Sequence, residues 1–278
     1  MSADQRRTAR ANGATTPILI TTAIIGGVAL AAVGTSAAFG AAGSLRAGSA
    51  PESTLQRVDA AGVTGVEIEA SSADVSVRFG SVDEARLEVE GGGADFWELT
   101  RDESELRVTR SGGFFGGCLF WCDLGRTTVV LTLPQELEAR GIEADARLSA
   151  GSLDLDGSWG EVDLDVSAGH ANLDIDATKL EVEMSAGRLD GTAREVRKAS
   201  FELSAGTAEF ELAGAAPEQL EIGLSAGRLG LTVPDETYRL TEERSAGSLD
   251  HRLRTDPGSN RLINVEMSAG NVTLSPAD

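Results

Sequence analysis

The sequence predicts an all-β fold: a single-stranded β-solenoid with rungs of 18–23 residues, preceded by one transmembrane α-helix. Three observations predict it. The tripeptide Ser-Ala-Gly recurs seven times, apolar and polar residues alternate on both sides of each copy, and an uncharged apolar run lies near the N-terminus. Self-similarity at a period near twenty residues is typical of solenoids, in which each repeat packs only against its neighbours.

The tripeptides are spaced by 18, 18, 19, 21, 20 and 23 residues. The predicted corners of the rungs are Ser149 and Gly151, Ser167 and Gly169, Ser185 and Gly187, Ser204 and Gly206, Ser225 and Gly227, Ser245 and Gly247, and Ser268 and Gly270. Alternation with a period of two predicts strands with one buried face. Because Val166 and Ala171 are an odd number of residues apart, the chain must bend between them to keep both inside, and glycine permits such a bend. The near-constant period favours coils stacked in register over hairpins, with the corners about 4.8 Å apart.

The N-terminal region predicts a membrane anchor. Residues 1–16 contain three arginines and are predicted to be a cytoplasmic tail by the positive-inside rule. Residues 17–42 are apolar or small and long enough to span a bilayer, which favours an uncleaved signal anchor. A cleaved signal peptide is the alternative, although the apolar run exceeds the usual length of about 7–15 residues. Either way, the remainder is predicted to be extracytoplasmic.

Residues 43–57 are predicted to be a linker, and residues 58–278 the solenoid domain. Ser71-Ser72-Ala73 stands where the tripeptide is expected and predicts a degenerate first rung. Three further strands, over 86–90, 96–101 and 105–110, are predicted to form an antiparallel or edge sheet. The strand over 127–133 should stop at Pro134, and the seven regular copies should then stack in chain order.

The sixth copy is irregular. Arg244 and His251 stand where the other copies have apolar residues, and a turn-forming segment, 255–260, follows. The pattern fits a slipped coil with its charges in solvent, or a binding notch near the C-terminal end.

Cys118 and Cys122 are the only cysteines and lie in a glycine-rich segment. Outside the cytoplasm, a close pair favours a disulfide. A redox-active pair is less favoured because the spacing is not Cys-x-x-Cys. A zinc site is less favoured because the two histidines are distant in sequence.

The same segment contains five large apolar residues, which are Phe114, Phe115, Leu119, Phe120 and Trp121. Such a cluster either caps an end of the solenoid or meets a partner or lipid. Solenoids need capped ends, which favours the cap.

Acidity is the second strong signal. The chain has a net charge of −20, and because the residues before Val58 sum to +3, residues 58–278 have about −23. Stacking predicts two columns of acidic residues on the outer surface. One contains Asp145, Asp163, Glu181 and Glu221, and the other contains Asp154, Asn172, Asp190, Glu209 and Asp250. A solvated acidic face is expected, with calcium as an alternative occupant. The negative sign disfavours nucleic acid as a partner.

Enzyme function is not indicated. The serines recur on every rung without a recurring histidine, acids are too abundant for one pair to stand out, and no nucleotide-binding or metalloprotease motif occurs. The sequence therefore predicts a protein without catalytic or cofactor-binding residues.

The run from Val129 to Pro134, and the run from Ile142 through Ser149-Ala150-Gly151 to Leu155, resemble the bacterial putative-adhesin domain of unknown function, which is related to toast-rack β-solenoids. The resemblance covers roughly residues 60–275. It implies a β-solenoid domain, an N-terminal membrane helix of the kind seen in actinobacterial members, and no catalytic motif.

Together these features predict a membrane-anchored, extracytoplasmic solenoid with an adhesin-like binding or scaffold role, whose partner is a protein or a cell-envelope glycan. One alternative is an accessory regulator of envelope-stress signalling that contacts a membrane partner through Gly26, Gly27 and Ala31. The third hypothesis is a polysaccharide-active enzyme.

Overall fold

The computed structural model describes residues 53–111 and 127–277, and about two thirds of these residues are in β-strands. The strands are β1 (Ser53–Val58), β2 (Gly65–Gly80), β3 (Ala85–Glu90), β4 (Trp97–Asp102), β5 (Glu105–Arg110), β6 (Thr128–Pro134), β7 (Glu143–Ser158), β8 (Glu161–Val166), β9 (His170–Asp176), β10 (Lys179–Met184), β11 (Arg188–Arg194), β12 (Lys198–Leu203), β13 (Thr207–Ala213), β14 (Gln219–Leu224), β15 (Arg228–Val233), β16 (Thr237–Arg244), β17 (Ser248–His251), β18 (Arg254–Thr255), β19 (Leu262–Met267) and β20 (Asn271–Pro276). A 3₁₀ turn, Ala94–Phe96, and a one-turn helix, α1 (Gln135–Glu138), complete the described elements.

No helix within these two ranges is long and apolar enough to cross a membrane. The span predicted over 17–42 lies outside the described residues, as do the tail over 1–16 and the linker up to residue 52.

The strands form two parallel ladders, which confirms a stacked coil. The first ladder runs from the N-terminal half of β2 through β7, β8, β10, β12 and β14. The second runs from the C-terminal half of β2 through β7, β9, β11, β13 and β15. β2 and β7 belong to both ladders because each passes through its corner as one 16-residue strand. Each rung therefore contributes one strand on either side of its corner.

The core lies between the two ladders. Alternate residues of each strand point inward, so the column Leu164, Val182, Phe201 and Ile222 in the first ladder is buried at 0–3% exposure. Phe201 meets Phe210 of the second ladder with ring centroids 5.4 Å apart. The period-two alternation of the sequence therefore specifies the buried face correctly.

The order of the last two rungs differs from the prediction. β19 pairs with β14 on one side and β16 on the other, and β20 lies between β15 and β17 in the same way. The corner at Ser268 therefore lies between those at Ser225 and Ser245. The expectation of stacking in chain order is wrong here, because the final strand pair of the chain is inserted beneath the pair that precedes it.

Residues 234–261 make this exchange possible. The chain leaves β15, forms the outer rung with β16 and β17, and then returns to the position between that rung and β15. Tyr238 is fully buried in this crossing, and its hydroxyl donates to Pro234 O at 2.8 Å. Ser259 Oγ donates to Thr237 O at 2.8 Å, and Arg254 pairs with Asp235 at 3.2 Å. The last two contacts join the outgoing segment to the returning one.

The other end of the stack carries the three predicted edge strands, but they fall into two groups, since β3 pairs with neither β4 nor β5. β5 pairs in parallel with β2 and antiparallel with β4, while β6 pairs in parallel with β2 and leads antiparallel to β3 and β1. Ser71–Ala73 lies beside Ala150 and Gly151, which confirms the degenerate first rung. β1 begins at Ser53, within the span assigned to the linker, because its backbone pairs with β3 along its whole length.

Candidate functional site

The corner glycines define one edge of the solenoid. Those at 151, 169, 187, 206, 227, 247 and 270 all have positive φ, from 90° to 126°. A Cβ on Gly187 would lie 2.2 Å from Gly169 O, and a Cβ on Gly247 would lie 2.2 Å from Gly270 O. Each corner therefore requires glycine for two reasons: the backbone has a positive φ, and the neighbouring rung leaves no room for a Cβ.

The corner serines lie on the outside of this edge and are exposed. Their backbone amides join successive rungs: Ser185 N donates to Val166 O at 2.9 Å, and Ser225 N donates to Leu203 O at 2.9 Å. Within the part of the chain that the structure describes, the hydroxyls of these serines bond to no protein group. Each rung thus presents one uncommitted hydroxyl to solvent.

The strand registers confirm both predicted acidic columns, with interruptions. In the first ladder the column runs Asp145, Asp163, Glu181, Ser200, Glu221. In the second it runs Asp154, Asn172, Asp190, Glu209, Gly230, Thr273, Asp250. Gly230 separates Asp250 from the other acids, and the exchange of the last two rungs adds Thr273 between them.

Arginine and lysine side chains relieve part of the repulsion within the first column. Lys179 Nζ pairs with Glu161 and lies 3.1 Å from Glu181 Oε2 and 3.9 Å from Asp163 Oδ1. Arg147 bridges Asp145 at 2.8 Å and Glu67 at 2.7 Å. On the rungs of β7, β8 and β10, the acidic residues are therefore partly neutralised by ion pairs with Arg147 and Lys179.

Four carboxyl groups nevertheless have a pKa above the usual range. Burial raises the pKa of Asp145, Asp156, Asp163 and Glu183, and neighbouring carboxylates raise it further in each case. Lys179 opposes the rise at Asp163, and its own pKa is raised chiefly by its hydrogen bond to Glu161. Among the described residues, no group of three or more His, Cys, Asp or Glu side chains is arranged to hold a metal ion.

The predicted irregular copy forms the outer rung of the stack. Glu242, Arg244 and His251 occupy inward positions of β16 and β17, in register with Val265, Met267 and Leu274, yet all three are exposed. Glu242 and Arg244 form an ion pair at 3.2 Å. Their charges face solvent because this rung closes the end of the stack, not because the coil has slipped.

A groove of about 490 Å³ crosses the corner edge beside this rung. It is best described through the residue two positions before each corner serine, which we call the rim column. In spatial order the rim column is Arg147, Asp165, Glu183, Glu202, Gly223, Glu266, Glu243. Gly223 leaves a gap between Glu202 and Glu266, and the groove opens there.

The corner serines 204, 225, 268 and 245 also line the groove, together with Glu243 and Arg244. Stacking of the four rungs brings these hydroxyls into one row, and the exchange of the last two rungs sets their order. The sequence did contain a signal for this site: Gly223 is the only uncharged residue at this position of the seven copies.

The structure leaves one group of predicted residues untested. Cys118, Cys122 and the apolar residues between Phe114 and Trp121 lie outside the described residues. The described ends of that segment, Ser111 and Thr127, both bond to the turn before β4: Ser111 N donates to Phe96 O at 2.6 Å, and Thr127 Oγ1 donates to Gly92 O at 2.7 Å.

No protein-family model and no curated protein matches the chain. Several solved structures are similar to it. One is a "putative cell adhesion protein" from Clostridium sporogenes, with 11% identity and a TM-score of 0.41 over 82% of this chain and 100% of the other. A second is a "putative adhesin" from Bacteroides fragilis, with 12% identity and a TM-score of 0.46 over 82% and 98%. A third is a "putative lipid binding protein" from Parabacteroides distasonis, with 12% identity and a TM-score of 0.38 over 82% and 98%. At these identities and TM-scores the likenesses assign no function, so function is argued from the chain's own residues.

Proposed function

We propose that this chain is a membrane-anchored, extracytoplasmic β-solenoid with a non-catalytic, adhesin-like binding or scaffold role at the cell envelope. One observation carries the proposal: outward residues of successive rungs form polar columns along the parallel stack, such as Asp163, Glu181, Ser200 and Glu221. Each column repeats its groups about every 4.8 Å. A repeating surface of this kind suits an extended partner that is held at several points.

The interior supports binding over catalysis. Among the described residues, the buried side chains are apolar or aromatic except for that of Thr127, and the buried hydroxyl of Tyr238 is bonded to Pro234 O. An active site needs a nucleophile, a base and a stabilising group that converge in a cleft. Here the ionisable groups are distributed over the outer faces. The apolar, uncharged segment 17–42 supports the anchor.

Topology is tested with reporter fusions to the C-terminus of the full chain in a bacterial host. Alkaline phosphatase, which is active only outside the cytoplasm, is expected to be active, and β-galactosidase, which is active only inside, is expected to be inactive. Deletion of residues 17–42 should reverse both results. The opposite pattern in the full chain would place the domain in the cytoplasm and overturn the proposal.

Binding is tested by crosslinking in living cells, followed by mass spectrometry. The tagged full chain is compared with a control in which residues 1–52 carry an unrelated globular domain. Envelope polymer or protein retained by the full chain and absent from the control supports the binding role. Identical material in both samples would show that the solenoid adds nothing to the anchor.

A further inference from the structure

We propose that the groove at Gly223 binds a linear glycan that carries no acidic groups. The inference rests on the proposed binding role and assigns it a place and a ligand class. Three features of the groove carry it: a glycine that the fold does not require, a row of free hydroxyls, and carboxylates that select against anions.

Gly223 has no structural reason to be glycine. It lies inside β14, and it is not among the residues with positive φ. A Cβ there would meet only Glu202 Cγ at 3.6 Å and Glu202 Cα at 4.0 Å, which are ordinary contacts. Glycine in a strand interior lowers stability, and it often marks a place where a ligand approaches the backbone. The absent side chain opens the groove.

The corner hydroxyls give the groove its chemistry. The hydroxyls of Ser204, Ser225, Ser268 and Ser245 stand in one row and bond to no described protein group. At the spacing of paired strands, four rungs extend the row over roughly 14 Å. Each hydroxyl can donate and accept, as the hydroxyls of a sugar can. The row therefore matches several sugar units of an extended chain.

The carboxylates of the groove exclude anionic polymers from the class of ligands. Glu202, Glu266 and Glu243 accept hydrogen bonds and repel anionic polymers. Arg244, the cation that lines the groove, is paired with Glu242 at 3.2 Å, so the groove keeps an excess of negative charge. The apolar residues of the groove, Leu203, Leu224 and Met267, are only 2–4% exposed and offer no surface to an apolar side chain. A polyhydroxylated chain without acidic groups satisfies these conditions better than an apolar peptide.

The site is tested by calorimetric titration of the purified full chain in detergent micelles. The probes are chitohexaose, cellohexaose and maltohexaose as neutral glycans, hexagalacturonate as an acidic glycan, and hexalysine. At least one neutral hexaose is expected to bind, and hexagalacturonate is not. If no neutral hexaose binds, if hexagalacturonate binds more tightly, or if only hexalysine binds, the proposal is overturned.

Variants locate the site. Gly223→Gln fills the gap without backbone strain and should weaken binding about tenfold. The pair Ser225→Ala and Ser268→Ala should do the same, through loss of two hydrogen bonds. The matched control pair, Ser167→Ala and Ser185→Ala, changes the same corner position outside the groove and should alter binding less than about twofold. Equal binding by Gly223→Gln and the unaltered chain would remove the groove as the site.

The two proposals fail separately. If no hexaose binds but the full chain still retains envelope material in cells, the binding role stands and the ligand class is wrong. If the reporter fusions place the domain in the cytoplasm while Gly223→Gln still weakens hexaose binding about tenfold, the site stands and the envelope role is wrong.

Discussion

The central rungs and the outer rung of this solenoid place different residues at the same inward positions. One inward column runs Val182, Phe201, Ile222 and Val265, and then reaches Glu242 in β16. The first four side chains are buried, and Glu242 is exposed. An inward direction alone does not bury a side chain in a solenoid, because burial needs a neighbouring strand on both sides. Tyr238 at the start of β16 has such a neighbour, β18, and is buried, whereas Glu242 has no described strand on its outer side. Charges at inward positions of an edge strand also oppose the addition of another strand.

The sharpest test of this comparison exchanges residue types between the two regions. Val182→Glu places a carboxylate in the centre of the core, and we expect a loss of about 4 kcal/mol or more in the free energy of unfolding. Glu242→Val makes the reverse change on the outer rung, and we expect stability to change by less than about 1 kcal/mol. Urea denaturation followed by circular dichroism measures both.

The same pair of variants tests the protective role of the outer rung. Glu242→Val should increase self-association, measured by light scattering after size-exclusion chromatography, because it removes an inward charge from an open edge. Comparable stability losses for the two variants would show that the outer rung is packed as tightly as the centre, which would contradict the comparison.

A second test uses the corner glycines. Gly187→Ala brings a Cβ to 2.2 Å from Gly169 O at a φ of 123°, between rungs that cannot separate, and we expect a loss of about 3 kcal/mol. Gly247→Ala makes a similar clash, with Gly270 O, but β17 has no described strand on its outer side and can move away. We expect a loss of about 1–2 kcal/mol there.

Amide hydrogen exchange separates the two effects. Gly247→Ala should raise exchange only in the outer rung, whereas Gly187→Ala should raise it throughout the stack. Global loss of protection in both variants would mean that the outer rung is as strongly coupled to the core as any other.

The smallest expected effect is the dependence of stability on pH, and it comes from carboxyl groups of the first and central rungs. The carboxyl groups of Asp145, Asp156, Asp163 and Glu183 have a raised pKa in the folded chain, chiefly from burial. As pH falls from 7 toward the ordinary values of 3.8 and 4.5, the folded state takes up protons before the unfolded state does. Stability must therefore rise on mild acidification.

We expect the melting temperature to be higher at pH 5 than at pH 7 by roughly 2 °C, because these side chains are still partly in solvent. Combining Asp156→Asn with Asp163→Asn should reduce the difference, while Asp250→Asn on the outer rung should leave it unchanged. A melting temperature that falls between pH 7 and pH 5 would contradict the expected sign.

The sequence was sufficient to predict the features that repeat. The spacing of the tripeptide, the alternation on either side and the degenerate corner at Ser71 predicted the stacked coil, its corners and its acidic columns. These features depend on local geometry, which each copy specifies for itself.

The order of the last rungs could not be predicted in the same way. Copies with the same frame can pair with any neighbour, and spacing along the chain does not choose among them. Arg244 and His251 were the visible signal, since charged residues at inward positions fit only a rung with one neighbour. The groove at Gly223 was missed because it forms between side chains of different rungs, and the alternation of apolar and polar residues does not report the size of the outward side chains.

The exchange also has a consequence for biosynthesis. β16 and β17 leave the ribosome before β19 and β20, although in the finished molecule they lie outside them. While the chain is still being made, the pair that ends the stack has only β14 and β15 on which to assemble. The native arrangement therefore becomes available only once the last residues have been synthesised, and a chain terminated before Leu262 lacks the strands that hold its terminal pair in place.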